Sequence, residues 1–101
     1  MSDVNEVLLA RAMTHGDYDA HAGMTQALLR TFFQADPIHA YTPAQTESIH
    51  MIFHKLGRIH AGDPNFRDHW VDIAGYARAM EKLNETALES TLAASDRPEG
   101  A

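Results

Sequence analysis

Apolar residues recur three and four positions apart over most of this chain, while the strict alternation that marks a half-buried strand is scarce. That periodicity commits the backbone to helices. The sequence therefore predicts an all-α fold, a small bundle of four to five helices joined by short loops, as one domain over residues 1–94. Residues 95–101, with Asp96, Arg97, Pro98, Glu99 and Gly100, read as a disordered tail.

Helix punctuation sets the boundaries. A first helix over residues 4–13, with Val4, Leu8 and Ala12 inward and Leu9 a further candidate, breaks at Thr14-His15-Gly16. Gly16 supplies a left-handed cap, and Asp17 caps a second helix that turns Ala20, Met24, Ala27, Leu28 and Phe32 inward and ends near Gln34. Residues 35–41 form a loop. Thr42-Pro43-Ala44-Gln45 then opens a third helix, with Thr42 and Gln45 as a capping box and Pro43 at the first helical position. This helix runs to about His60, where Gly62 and Asp63-Pro64 stop it. A fourth starts between Asp63 and Asp68 and passes through Trp70, Ile73, Ala74, Ala77 and Met80, with Trp70 expected in the core. Beyond Leu83 the sequence stays helix-compatible, but its apolar stripe narrows to Leu88 and Leu92, a pattern suited to packing on a neighbouring chain. Gly57 and Gly75 fall inside helices, where close backbone packing is the simplest explanation.

Composition narrows the functions. The 101 residues are 45% hydrophobic and leave room for one core, which excludes a multidomain enzyme. The formal charge of −6 argues against a protein held by the field of duplex DNA or an anionic membrane. With no cysteine there is no disulfide, thiolate zinc site or thiol nucleophile. The apolar run Val7-Leu8-Leu9-Ala10 is too short for a signal peptide or membrane span, so the expected location is the cytoplasm. Seven histidines make the charge sensitive to mildly acidic pH.

The third helix carries the most chemistry. At about 100° per residue, Ile49, Ile52, Phe53, Leu56 and Ile59 share a core face, while Glu47, His50, Met51, His54 and Arg58 form a stripe almost opposite, with Lys55 on its flank. A solvated outer face is one explanation of that stripe. Met51 in its midst points instead to a covered cleft or an interface. On the fourth helix Asp68, His69, Asp72 and Tyr76 share a flank, Asp68 being suited to the positive N-terminal end. Lys55 and Arg58 can offer a point charge and a bidentate fork to phosphate. Tyr18, Trp70 or Tyr76 can stack on a base, and Asp72 can accept from a ribose hydroxyl.

The pairs Glu47-x-x-His50 and His69-x-x-Asp72 resemble the paired acidic motifs of the MazG-type all-α nucleoside triphosphate pyrophosphohydrolases. That resemblance implies a divalent ion, magnesium or manganese, held by Glu47, His50 and Asp72 against a triphosphate. His50 and His69 stand where those enzymes carry glutamates, and imidazole suits softer ions than magnesium.

A second resemblance spans residues 11–83. It rests on Arg11-x-x-Thr14-His15-Gly16-Asp17-Tyr18, on Glu47 with Met51-Ile52, on His54-Lys55-x-x-Arg58-Ile59-x-x-Gly62-Asp63-Pro64, and on Asp68-x-Trp70-x-Asp72-Ile73-Ala74-Gly75-Tyr76-Ala77. These motifs look like an uncharacterised family of small phage and prophage helical proteins associated with nucleotide metabolism. In that family the positions of His15 and His50 are commonly Tyr and Asp. The resemblance implies a host-cell cytoplasmic protein.

Three functions compete on these residues. The first is a nucleotide binder without turnover, a phage protein sequestering a nucleotide defence signal, with His15, Asp17, Tyr18, His54, Lys55, Arg58, Asp72 and Tyr76 around one crevice and no cofactor required. The second is a metal-dependent pyrophosphohydrolase, and the third an inhibitor that binds a host protein through its acidic surface. A homo-oligomer, in the simplest case a dimer packing the third and fourth helices, is expected because a core this small gains from burial against a second copy.

Overall fold

The computed structural model describes residues 2–95. They form α1 (Ser2–His15), α2 (Tyr18–Phe32), α3 (Pro43–Ala61) and α4 (Arg67–Ser95), with no strand among the described residues. Of the tail expected over residues 95–101, Ser95 is instead the last residue of α4, and residues 96–101 lie outside the described residues.

The caps act where the sequence places them. Gly16 takes φ 80°, a backbone conformation that L side chains resist, and closes α1. Asp17 then accepts from the Ala20 N–H at 3.1 Å to start α2. At α3 the capping box is complete, with Gln45 N–H donating to Thr42 Oγ1 at 3.1 Å and Thr42 N–H donating to Gln45 Oε1 at 2.9 Å. Asp63 Oδ1 accepts from Asn65 N–H, shaping the turn that leads into α4. Beyond Leu83 the helix does not break, and α4 continues as one element of 29 residues.

Two ends hold the helices together by different means. At one, the α1–α2 and α3–α4 junctions meet: the Thr14 carbonyl accepts from His69 Nε2–H at 3.0 Å and from Asp63 N–H at 3.2 Å. A Cβ on Gly62 would stand 2.5 Å from Gly16 N and 2.6 Å from the Thr14 carbonyl oxygen, so this approach requires glycine. At the other end Phe32 packs edge-on against Phe53 at 5.1 Å, and Phe33 against Tyr41 at 6.3 Å and His50 at 5.5 Å.

Between these ends α3 is the central helix, with α2 on one side and α4 on the other. Neither α2 nor α1 packs along α4. The four helices, expected as a small bundle of four to five, therefore lie as an open layer. The dimensions, 70 × 29 × 25 Å with a radius of gyration of 19.2 Å, exceed the radius of about 13 Å for a compact chain of this length.

This layering moves the core. On α2 the fully covered residues are His21, Thr25 and Leu29, one position round from the expected inward set; Ala20 and Phe32 are exposed. The cause is Gly57: α2 crosses α3 there so closely that a Cβ would collide with Thr25 Oγ1 and the His21 ring. Trp70 is 50% exposed instead of buried, and its indole N–H donates to the Pro64 carbonyl at 2.8 Å, tying the α3–α4 turn. Gly75 has no such neighbour within 4 Å.

Gly57→Ala should therefore lower stability by about 1–3 kcal/mol through overpacking against Thr25. Gly23→Ala, where a Cβ meets nothing within 4 Å, should raise it by about 0.5–1 kcal/mol through helix propensity. Urea melts of the two variants beside the parent give both signs.

Candidate functional site

The α1–α2 junction also builds a pocket. Arg11 and His15 lie four apart on α1 and so share a face, Gly16 reverses the chain, and α2 begins with Tyr18. Arg58 reaches the same place from the last turns of α3. With Leu8, Ala12, Asp17 and His21 these residues line a cavity of about 380 Å³.

Its electrostatics are one-sided. Burial, followed by the neighbouring Arg11, holds Arg58 below its ordinary pKa, while Tyr18 acts the other way. Neither guanidinium has a carboxylate partner among the described residues. His15 is likewise pushed below 6.5, first by burial and then by His69, Arg11, Arg58 and Lys55. Its Nδ1 lies 2.6 Å from Thr14 Oγ1, and its ring stands edge-on to buried His69 at 4.7 Å. Asp17 is the acidic side chain of the lining and is occupied as the cap of α2.

His21 forms the floor and is 4% exposed. Its Nε2–H donates to the His54 carbonyl at 3.1 Å, which leaves the buried Nδ1 with no partner among the described residues. Burial, then Arg58, lowers its pKa as well. Tyr18, 79% exposed at the rim, presents an open aromatic ring.

The expected crevice is thus divided. His15, Asp17, Tyr18 and Arg58 come together in the pocket. His54 contributes its backbone carbonyl and a ring contact at 5.7 Å to His21. Lys55 is paired with Asp72 at 2.9 Å, and Asp72 with Tyr76 lines a separate trough on α4. No group of three His, Asp or Glu side chains suited to a metal ion occurs among the described residues, so Glu47, His50 and Asp72 do not assemble as a ligand set. His50 is turned to Phe33, and His69, read with Asp72 as a pair, is instead the buried donor to Thr14. Of the stripe on α3, His50 and His54 lie against Phe33 and His21 from the α2 side, while Glu47 is exposed.

Arg11 and His21 are the residues that sequence reasoning passed over. Arg11 was legible, standing i, i+4 from His15 ahead of the Gly16 turn. His21 was not, since the core face of α2 is set by its crossing at Gly57.

Stability should follow the two depressed histidines. Because each binds its proton more weakly in the fold than in the unfolded chain, their contribution is complete above pH 6.5 and is lost as pH falls below it. Thermal midpoints measured across that range should decline toward acid, and the decline should be shallower in His21→Gln. No protein-family model, curated protein or solved structure matches this chain.

Proposed function

We propose that this protein binds a phosphorylated nucleotide, without turnover, in the pocket between α1, α2 and α3. The observation that carries the reading is the convergence of Arg11 and Arg58, two guanidiniums without carboxylate partners among the described residues, in a chain whose formal charge is −6. Such a cluster is held apart from its own counter-charges at an electrostatic cost that a bound phosphate relieves, through charge-assisted and bidentate hydrogen bonds. The start of α2 adds a positive helix end to the same pocket. Tyr18 at the rim supplies a face for a base.

The phosphoryl group sits between the arginines in this reading, and the base reaches outward over Tyr18. Lys55 adds a field behind the site, largely offset by Asp72. Hydrolysis is the weaker reading, because the carboxylates and imidazoles it would use are dispersed among other contacts. In a phage setting such a binder would deplete a nucleotide signal. We propose further that it acts as a homo-oligomer.

The test is to incubate the protein with a panel of nucleoside mono- and triphosphates and cyclic nucleotides, with and without manganese, and chromatograph before and after heat denaturation. A nucleotide depleted from solution and released intact on heating is the expected result. Conversion to monophosphate and pyrophosphate, or no depletion of any compound, overturns the reading.

Titration calorimetry with the captured nucleotide should show Arg11→Ala and Arg58→Ala each weakening binding by about 1.5–3 kcal/mol, the range of a hydrogen bond to a charged group. Lys55→Ala should have a smaller effect. Because a bound anion opposes the field that depresses His15, affinity should also rise as pH is lowered toward 6.

A further inference from the structure

The α4 helix outruns its support. Over its first half it packs on α3, with Asp72 paired to Lys55 and Ala77 and Met80 beside Ile49 and Ile52, but every residue from Glu81 to Ala93 is exposed. The protruding half includes Leu83, Leu88 and Leu92, each more than half exposed. An isolated helix of that length is marginal in water, because helical stability comes mainly from packing one face.

The outer side of the packed half is shaped for contact. Val71, Gly75, Ala79 and Leu83 follow one another at four-residue intervals, the row that forms ridges and grooves between packed helices. Val71, Gly75 and Ala79 line an open trough with Asp72 and Tyr76. A helix-interior glycine weakens a helix relative to alanine, and at Gly75 nothing among the described residues uses the space, since a Cβ there meets no atom within 4 Å.

The surface area says how much is left uncovered. The chain exposes 7758 Å², against about 5,700 Å² for a compact monomer of 11.2 kDa. The excess of about 2,000 Å² is more than the roughly 800 Å² that each partner contributes to a standard stable interface. A helical domain ordinarily consists of two packed layers around one core, and this chain provides one. The missing layer matches what a second copy supplies.

We propose that a second copy of this chain packs along α4, seated against Val71, Gly75, Ala79 and Leu83 and continuing over the protruding half of the helix. The two single layers then become the two layers of one core. This assembly does not depend on the nucleotide reading, and its surface is separate from the Arg11–Arg58 pocket.

Sedimentation of the intact protein across micromolar concentrations tests the proposal. Wild type is expected as a dimer of twice the chain mass, with Ala79→Glu weakening association by about tenfold or more and Gln26→Glu, on the exposed side of α2, leaving it unchanged. Because the chain has no cysteine, nitroxide labels on Ala79→Cys and Gln26→Cys report proximity without need of dissociation. Dipolar coupling between copies should be strong at position 79 and weaker at position 26. A wild type that stays monomeric, a dimer indifferent to Ala79→Glu, or coupling stronger at 26 than at 79 overturns the proposal. Should Ala79→Glu fail to fold, the labels alone decide.

Discussion

The contact on which the structure depends is the corner where Thr14 receives two donors. Its carbonyl takes the His69 Nε2–H from α4 and the Asp63 N–H from the α3–α4 turn. It does so only because Gly16 and Gly62 let two backbone turns meet without a Cβ between them. An imidazole there is both packing and hydrogen bonding: His69 is 1% exposed, with His15 and Phe66 rings against its edges at 4.7 and 4.9 Å. A buried carbonyl deprived of such a donor would bear a desolvation penalty of about 1–3 kcal/mol.

The pocket is a by-product of that corner. Once the α1–α2 turn is pinned to the end of α3, Arg11 and His15 on the last turns of α1 are brought beside Arg58 near the end of α3. Three cationic or titratable groups then face a space with one carboxylate, itself engaged in capping. Burial first, and the gathered positive charge after it, hold His15 and His21 below their ordinary pKa. Geometry required for the fold thus gathers positive charge around a cavity.

Local chemistry was legible in the sequence, and lateral packing was not. The Gly16 cap, the Asp17 and Thr42 N-caps and the stop at Gly62 follow from backbone preferences that act within a few residues, and each appears in the structure. The helix faces were harder. An apolar stripe identified Ala20 and Phe32 as inward on α2, yet the crossing at Gly57 admits His21 and Thr25, because at closest approach a small or flat polar side chain fits better than a bulky aliphatic one. The His-rich stripe of α3 looks solvated or functional when drawn as a wheel, whereas it is mostly the bed for α2. Of the candidate site residues, His15, Asp17 and Tyr18 come together because they cluster at the α1–α2 turn, and Arg58 joins them from the end of α3. Those on α4 do not, because Lys55 finds Asp72 directly.

The thinness of the layer and the openness of the pocket have one origin. Residues 4–13 of α1 are exposed throughout, so the helix is held chiefly through its last turn at the corner. A segment with few buried apolar contacts opens at low free energy, and Arg11 belongs to that segment while Arg58 belongs to the central helix. A phosphate gripped by both would therefore act as a tie between the loosest and the firmest parts of the chain. By linkage it would stabilise the closed arrangement in proportion to the logarithm of ligand concentration over its dissociation constant. The proposed second copy on α4 would cover the opposite deficiency, the unsupported half of the longest helix. The two proposed contacts would act on different elements, so occupancy of one would leave the other free to form.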